Sequence, residues 1–271
     1  MRQSVLKLAC MGVACAWLGS GLQAAGTTTE WQTVVNAKDH PDDWLTHHGS
    51  LDGQRYSRLD QINKDTVKDL KVAFTFVVGG IGGGGVWEHA GLEGTPLAED
   101  GYLYITDGWG SVYKLDVRKN GKLVWKMDPD TDRDWAAEVT CCGVDNRGVA
   151  LWKDKVISHA LDGRLIVTNK ETGEIEAEIP VADPAISEVI TAAPLVIKNM
   201  AITGVAGGDY GIRGWLNSTD LVAGKRDWRT HTIPAPGEPG HETWKPGPEA
   251  HSVDAWKHGG GATWVNGSYD P

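Results

Sequence analysis

The feature that most constrains the fold of this chain is a motif that recurs about every 50 residues. In each copy a glycine lies four or five positions after an Asp or Asn. The residue four positions after that glycine is a tryptophan in two of the three copies. The glycines are Gly121, Gly173 and Gly224, which lie 52 and 51 residues apart, and the tryptophans are Trp125 and Trp228. A period of about 50 residues, with several strands in each unit, is typical of the blades of a β-propeller.

Short runs of β-forming residues, separated by Gly and Asp, lie beside these motifs. The glycine turns are predicted to join neighbouring strands, and the indoles to pack between adjacent four-stranded sheets. The alternative is a β-sandwich in which three similar hairpins recur by chance, although a sandwich does not require equal spacing. Helical signals are few, and Asn63 is predicted to cap a short helix that ends at Leu70. The predicted strands are Tyr102–Thr106, Val112–Leu115, Lys155–Ser158, Arg164–Thr168, Leu195–Ile197 and Ala201–Gly204.

The composition supports an all-β fold. The 271 residues include 35 Gly and 13 Trp but only 2 Phe, which favours many tight turns around repeated aromatic packing and excludes a helical bundle. The chain is long enough to bury a large core. The 246 residues after position 25, at roughly 50 to 60 residues per blade, correspond to about four blades.

Residues 1–25 have the three-part pattern of a secretory signal peptide. Arg2 and Lys7 form a basic start, 8–18 is an apolar run, and small residues follow. A membrane anchor and a buried helix are the alternatives, although the apolar run is too short to cross a bilayer. We therefore expect a periplasmic protein with no stable membrane span once the signal peptide is removed.

The charge of the chain excludes one class of partner. The net charge is −10, and removal of the signal peptide takes away two positive charges and leaves −12. Because nucleic-acid binding needs a basic face, we expect no nucleic-acid partner.

Two adjacent cysteines, Cys141 and Cys142, are the ones that remain after removal of the signal peptide. A neighbouring pair cannot tie distant segments together, so its role is not that of an ordinary structural disulfide. In an oxidising compartment the two sulfurs can form a disulfide within one small, strained ring, and strain of this kind persists at functional sites. Two free, buried thiols are the alternative.

Other motifs lack the context that their chemistry needs. The run Gly79–Gly85 contains the spacing of a dinucleotide-binding loop, but no helical pattern follows it, so a loop near a site entrance is the simpler interpretation. The histidines do not fall at zinc-ligand spacings, and the chain contains no nucleophile-elbow motif. Zinc chemistry and serine-nucleophile chemistry are therefore excluded.

Several short strings resemble, in the same order, those of exported alcohol dehydrogenases that use pyrroloquinoline quinone (PQQ). They are spread over nearly the whole chain after residue 25, and jointly they are far more specific than any one of them. The resemblance implies an eight-bladed quinoprotein β-propeller of which about four blades are present, so that 26–271 form a partial propeller domain. The strings occupy 44–49, 54–57, 61–63, 93–97, 141–142, 146–148, 191–194, 207–214 and 259–264.

The resemblance also implies a cofactor, PQQ, and a Ca²⁺ or lanthanide ion, both on the propeller axis. PQQ is a planar tricarboxylate, so its polar rim needs cationic N–H donors such as a guanidinium fork. Trp264 matches the residue that stacks on one face of the quinone, and a disc formed by Cys141 and Cys142 matches the other face. The remaining matches are Glu93, Arg147 and Thr191, whose side chains would bind the quinone, and Gly207 and Gly208, whose N–H groups would do so.

Two positions depart from the family pattern. Asp209 occupies the place of a glutamate that ligates the metal, and its carboxylate keeps the hard oxygen that Ca²⁺ or a lanthanide prefers, on a side chain one methylene shorter. Ala206 stands where relatives often have a hydroxyl group. Each matched residue also has an ordinary alternative role: Arg147 as a surface cation, Glu93 as a turn carboxylate and Trp264 as a blade-packing indole.

The function implied by the resemblance is the oxidation of primary alcohols to aldehydes, with electrons passed to a cytochrome c. No residue of this chain can be matched to the family's catalytic Asp, which we expect beyond Pro271, so the chain alone is expected to be inactive. The alternative is a non-catalytic exported β-propeller, such as a scaffold or assembly protein. Free thiols at Cys141 and Cys142 would favour that alternative.

Overall fold

The computed structural model describes residues 28–79, 91–140, 143–243 and 250–271. In these ranges the strands form three four-stranded antiparallel sheets, and within each sheet the strands follow one another in chain order. The first sheet contains β1 (Leu97–Glu99), β2 (Tyr102–Thr106), β3 (Val112–Asp116) and β4 (Lys122–Met127). The second contains β5 (Ala150–Trp152), β6 (Lys155–His159), β7 (Arg164–Asn169) and β8 (Ile175–Pro180), and the third β9 (Leu195–Ile197), β10 (Met200–Gly204), β11 (Trp215–Asp220) and β12 (Lys225–His231).

Helical structure in the described ranges is limited to short segments. The α-helices are α1 (Trp31–Val35) and α2 (Arg133–Val139). None of these helical segments has the length and apolar character needed to cross a lipid bilayer. The 3-10 segments are Ala37–Asp39, Val67–Asp69, Val117–Lys119, Pro184–Ile186, Gly208–Tyr210, His241–Thr243 and Ala250–Lys257.

The predicted all-β propeller architecture is confirmed. Each of the six predicted strands is present, with ends that differ from the prediction by at most one residue. The described ranges contain three sheets, whereas the length estimate gave about four blades for 26–271. The difference arises because the described residues before β1 and after β12 contribute only isolated bridges and short helical turns. The predicted signal peptide, 1–25, and positions 80–85 of the glycine run lie outside the described residues.

The predicted helix between Asn63 and Leu70 is wrong in extent. The Asn63 side chain does accept hydrogen bonds from the N–H groups of Asp65 (2.9 Å) and Thr66 (3.1 Å), as a cap would. Only the single 3-10 turn over Val67–Asp69 follows. The apolar side chains of this segment are more than half exposed, so no packing partner stabilises further helical turns.

The recurring motif closes the outer hairpin of each sheet. The Asn169 side chain accepts the N–H groups of Glu171 (2.9 Å) and Thr172 (3.0 Å), and its backbone carbonyl accepts the N–H of Gly173 (2.9 Å). Such side-chain bonds divert the backbone from the strand ladder into a turn. Gly173 has φ of +78°, and the equivalent glycines of the other two copies have +69° and +63°, so the turn needs a residue without a Cβ.

The tryptophan of the first motif packs against the next sheet, as predicted. Trp125 of β4 is 7% exposed, and its Nε1 donates a hydrogen bond of 3.0 Å to the carbonyl of Lys170. A Cβ placed on Gly173 would lie 2.7 Å from the indole, so the ring lies directly on the glycine turn of the second sheet. Trp228, the equivalent residue of the third sheet, is 39% exposed.

Apolar side chains fill the two spaces between neighbouring sheets. Inner and middle strands supply most of these side chains, and β4, β8 and β12, which are mostly exposed and form the outer edges, add a few such as Trp125 and Ile179. The first interface includes Leu97, Tyr104, Val112, Leu151, Val156 and Ile166. The second includes Ile157, Leu165, Ile190, Val196, Ala201 and Trp215.

A buried ion pair adds a polar constraint at the first interface. The Lys170 Nζ lies 2.8 Å from Glu99 Oε2, and the two side chains are 4% and 6% exposed. Burial lowers the pKa of Lys170, while the neighbouring Glu99 carboxylate acts against that shift. Because a buried charge without its partner is strongly unfavourable, this pair fixes how β1 and the turn after β7 meet.

We predict that the two motif tryptophans differ sharply in their contribution to stability. Trp125→Ala should lower the free energy of unfolding by about 3–5 kcal/mol, since it removes a buried indole between two sheets. The matched substitution Trp228→Ala should cost less than about 1 kcal/mol, because that ring is partly in solvent. Urea denaturation of both variants measures the difference. Equal losses would contradict the assignment of Trp125 as an intersheet wedge.

Candidate functional site

The candidate site lies where three chain segments run side by side, just before the innermost strands β1, β5 and β9. The N–H of Thr95 donates to the carbonyl of Arg147 (3.2 Å), and the N–H of Arg147 donates to the carbonyl of Thr191 (3.0 Å). Each segment therefore holds the next in register. This ladder brings Glu93, Arg147 and Thr191 to one place, although they are 44 or more residues apart in sequence.

Asn146 fixes the conformation of the segment that carries Arg147. It is 1% exposed, its Nδ2 donates to the carbonyl of His159 (3.0 Å), and its Oδ1 accepts the N–H of Gly148 (3.0 Å). Gly148 has φ of +122°, and a Cβ there would lie 3.1 Å from the carbonyl oxygen of Thr95. The sequence Asn-Arg-Gly thus combines an internal anchor, a functional side chain and a residue that allows close approach of the neighbouring segment.

The Arg147 guanidinium is the centre of the site. Its Nη2 lies 2.6 Å from Glu93 Oε2, and its Nη1 lies 2.9 Å from Asp145 Oδ1. The guanidinium carbon lies 4.7 Å from the ring centroid of Trp264, within the range of a cation–π contact. One cation is therefore held between two carboxylates and against an indole.

A backbone wall without long side chains forms another part of the site. Ala206 donates its N–H to the carbonyl of Val189 (2.9 Å), which leads the chain into Gly207 at φ of +90°. A short 3-10 turn then spans Gly208–Tyr210. The first N–H groups of such a turn have no partner within it, so they are available to an acceptor outside it.

The segment that carries Trp264 is fixed to the third sheet on both sides of the indole. Thr263 donates its N–H to the carbonyl of Val205 (3.1 Å) and its Oγ1 to the carbonyl of Trp215 (2.6 Å). Asn266 donates its Nδ2 to the carbonyl of Ala193 (2.7 Å). The indole itself is 46% exposed, so one part of its surface is open to a ligand.

These parts enclose a cavity of about 310 Å³, at the lower end of the range for small-molecule sites. Of the nine predicted site residues, Cys141 and Cys142 lie outside the described residues. All of the others line this one cavity: Glu93, Arg147, Thr191, Gly207, Gly208, Asp209 and Trp264. The structure also adds linings that the sequence prediction did not include as ligand-binding residues, namely Asp145, Val189, Ala206 and Ala262.

Asp145 is the titratable residue that sequence reasoning missed. Its side chain is 9% exposed, and burial raises its pKa to about 6, although Arg147 acts in the opposite direction. The available signal was a carboxylate two positions before the matched arginine, which permits an ion pair across one residue. Asp145 lies between the cysteine pair and Asn146 in the sequence, and nothing in that position indicates that its side chain faces the cavity.

A second cavity of about 360 Å³ shares Glu93 and Arg147 with the first. Arg55 donates from Nε to His48 Nδ1, and its Nη2 lies within hydrogen-bonding distance of His47 Nε2, both at 3.1 Å. Burial, together with the nearby charges of His48, Arg55 and Arg147, lowers the pKa of His47 to about 4. His47 is therefore neutral at neutral pH.

The first cavity meets the requirements of a planar polycarboxylate. Arg147 offers charge-assisted N–H donors, the wall at Gly207 and Gly208 presents backbone instead of side chains, and Trp264 offers an aromatic face.

The fit of the cavity to a metal ion is a different case. Among the residues that the structure describes, no three His, Cys, Asp or Glu side chains are grouped so that they could hold an ion, and Asp209 brings a carboxylate to the cavity without such partners.

A family model for the β-propeller domain of PQQ glucose, ethanol and alcohol dehydrogenases matches residues 44–271. The chain belongs to this family. It is 33% identical over 295 residues to the dehydrogenase subunit of the quinone alcohol dehydrogenase from Gluconacetobacter polyoxogenes, an alignment that covers 100% of this chain and 38% of that relative. It is 31% identical over 273 residues to the lanthanide-dependent methanol dehydrogenase of Methylorubrum extorquens, covering 94% of this chain and 43% of that relative.

Solved structures agree with the sequence comparisons. A quinohemoprotein alcohol dehydrogenase from Pseudomonas putida superposes with a TM-score of 0.80 at 34% identity, over 91% of this chain and 35% of that one. A europium-containing methanol dehydrogenase superposes with a TM-score of 0.77 at 31% identity, over 89% of this chain and 42% of that one. The resemblance to quinoprotein alcohol dehydrogenases is therefore confirmed, and this chain spans about two fifths of the length of such relatives.

We predict that Asn146 is required for the stability of the site-bearing segment. Asn146→Ala should leave a buried carbonyl at His159 and a buried N–H at Gly148 without partners, at about 1–3 kcal/mol for each. The matched substitution Asn199→Ala, at an exposed position whose side chain accepts one bond of 3.3 Å from Trp152, should change stability by less than about 0.5 kcal/mol. Urea denaturation midpoints compare the two. Similar midpoints would mean that the Asn146 network is not a stabilising anchor.

Proposed function

We propose that the cavity around Arg147 binds PQQ and that this chain is the cofactor-binding part of an alcohol dehydrogenase. The observation that carries the proposal is the position of Arg147, a cation in contact with both Glu93 and Trp264. A guanidinium recognises carboxylates through paired N–H donors. The family membership and the convergence of seven predicted residues on one cavity both support PQQ as the ligand.

Each lining group has a distinct part in this proposal. Arg147, Glu93 and Thr191 bind the polar rim of the quinone, and the N–H groups of Gly207 and Gly208 bind its carboxylate oxygens. Trp264 restricts the site to flat ligands by stacking on one face. A disulfide between Cys141 and Cys142 forms the opposite face. The proposed location in an oxidising compartment supports this pairing.

Asp209 is the proposed protein ligand of a Ca²⁺ or lanthanide ion. Its carboxylate oxygen is the hard donor that such ions prefer. The remaining ligands of the ion would come from outside the residues that the structure describes. When bound, PQQ supplies a hydride acceptor and the cation supplies a Lewis acid. The contribution of the chain's own residues is to hold the ligand rigidly and to keep its carboxylates desolvated beside a fixed cation.

For the whole protein we propose the oxidation of primary alcohols to aldehydes in the periplasm, after removal of residues 1–25. A cytochrome c is the proposed electron acceptor, which the word quinohemoprotein in the names of relatives supports. The lanthanide-dependent relative supports a lanthanide as an alternative to Ca²⁺.

We predict that the chain binds PQQ through Arg147. Equilibrium dialysis with PQQ and CaCl₂ or LaCl₃ should give saturable binding, and Arg147→Met should weaken it roughly 10- to 150-fold, the equivalent of losing about 1.5–3 kcal/mol of charge-assisted hydrogen bonding. Arg164→Met is the matched control. Arg164 pairs with Asp162 two residues away, as Arg147 pairs with Asp145, but it does not line the cavity. Equal affinities for the two variants would refute a PQQ site at Arg147.

We further predict that residues 26–271 alone do not oxidise ethanol. In the proposal Glu93 binds the rim of the quinone, Asp145 stays beside Arg147 and Asp209 binds the metal, so none of the three carboxylates that line the cavity is left to take the proton of an alcohol. The measurement is reduction of an artificial electron-accepting dye after loading with PQQ and Ca²⁺ or La³⁺. Ethanol-dependent reduction above the alcohol-free rate would mean that a base is present in this chain.

A further inference from the structure

We propose that binding of a carboxylate ligand to Arg147 is coupled to the uptake of one proton by Asp145. This inference rests on the proposed function, because PQQ is the carboxylate considered. It assigns to Asp145 the role of a positioning residue that sets the affinity of the site and its dependence on pH.

The geometry places two carboxylates on one guanidinium before any ligand arrives. Asp145 bonds to Nη1 of Arg147 at 2.9 Å and Glu93 to Nη2 at 2.6 Å. When both acids are ionised, the three groups together carry a net charge of about −1. A ligand carboxylate that approaches Arg147 therefore meets an excess of negative charge instead of a free cation.

The two carboxylates differ in how they can respond. The Glu93 side chain is 47% exposed and can turn away from Arg147, towards the rim of the ligand or into water. The Asp145 side chain is 9% exposed, and Asn146, the next residue, is anchored at both ends of its amide. Because Asp145 is nearly buried on an anchored segment, loss of its charge is the response to the repulsion that needs the least movement.

The surroundings of Asp145 favour this response. Arg147 stabilises the ionised form, whereas burial and Glu93 already raise the pKa of Asp145 to about 6. Asp209, from the turn after the third sheet's β10, lines the same cavity and adds negative charge. His47, which lies beside Arg147 in the second cavity, has a pKa lowered to about 4 and stays neutral between pH 5 and 8.

The direction of the pH dependence follows. In the free protein at pH 7 a group of pKa about 6 is roughly one-tenth protonated. A bound anion raises that pKa further, so binding draws a proton from the solvent, and affinity rises as the pH falls from 8 towards 6. The neutral acid can then donate its O–H to a carboxylate oxygen of the ligand.

Isothermal titration calorimetry of PQQ, with a fixed concentration of CaCl₂, tests the coupling directly. At pH 7, comparison of two buffers with different heats of ionisation gives the number of protons taken up on binding. We expect an uptake of more than half a proton for the unmodified chain and an affinity roughly 10- to 50-fold weaker at pH 8 than at pH 6, where 50-fold is about the most that a single group of pKa about 6 permits.

Asp145→Asn isolates the residue. The variant should bind PQQ at least as tightly as the unmodified chain at pH 8, with little proton uptake and less than about a threefold change across the same pH range. Asp162→Asn is the matched control, since Asp162 pairs with Arg164 two residues away and lies outside the cavity, and it should behave like the unmodified chain.

The outcomes separate this inference from the proposed function. Absence of PQQ binding by the unmodified chain at every pH would refute the proposed function, and the coupling with it. Binding by the unmodified chain without proton uptake would refute the coupling alone, and this measurement does not depend on any variant folding. Weaker binding by Asp145→Asn than by the control at pH 8 would also refute it, since Asp145 would then be an ionised support for Arg147.

Discussion

The contact on which the rest of the structure depends is the packing of one sheet against the turn of the next. Trp125 lies on Gly173 with its Nε1 bonded to the carbonyl of Lys170, and the buried pair of Lys170 and Glu99 fixes the same interface from inside. This interface sets the distance between the first and second sheets. It holds the segments before β1 and β5 where the N–H of Thr95 reaches the carbonyl of Arg147, and the bond from the N–H of Arg147 to the carbonyl of Thr191 adds the segment before β9.

Much of the fold could be predicted from the sequence because the turns are specified locally. An Asx side chain and a glycine at positive φ define each outer hairpin without reference to the rest of the chain. The strands between them are short and rich in β-branched residues, so their limits follow from the turns. The prediction of a helix from Asn63 to Leu70 failed for the opposite reason. Its cap is local, but its extension needed a packing partner for Val67 and Leu70, and both side chains are more than half exposed.

The candidate site was predictable where a residue's chemistry is needed by a ligand, and it was missed where only three-dimensional position matters. Arg147 and Trp264 have side chains suited to a flat anion, and the family resemblance groups them in one set from the sequence. Asp145 has no such mark in the sequence. Its importance comes from burial and from sharing a guanidinium with Glu93, which is 52 residues away in the chain. The proposed pairing of Cys141 with Cys142 stays a prediction.

The balance of charge in the cavity is the electrostatic argument for the proposed metal. Glu93, Asp145 and Asp209 line a cavity whose described lining includes one cation, Arg147, and the proposed ligand brings three further carboxylates. Burying like charges together is strongly unfavourable unless cations or protons offset them. A divalent or trivalent ion at Asp209 and a proton at Asp145 would each reduce this excess of negative charge. Glu93 would free one side of Arg147 by turning towards the rim of the ligand. The same charge balance makes the cavity discriminate between ligands by charge as well as by shape. A neutral flat molecule would stack on Trp264 but would leave Arg147 paired with Glu93 and Asp145. Its binding free energy would therefore come from little more than that stacking.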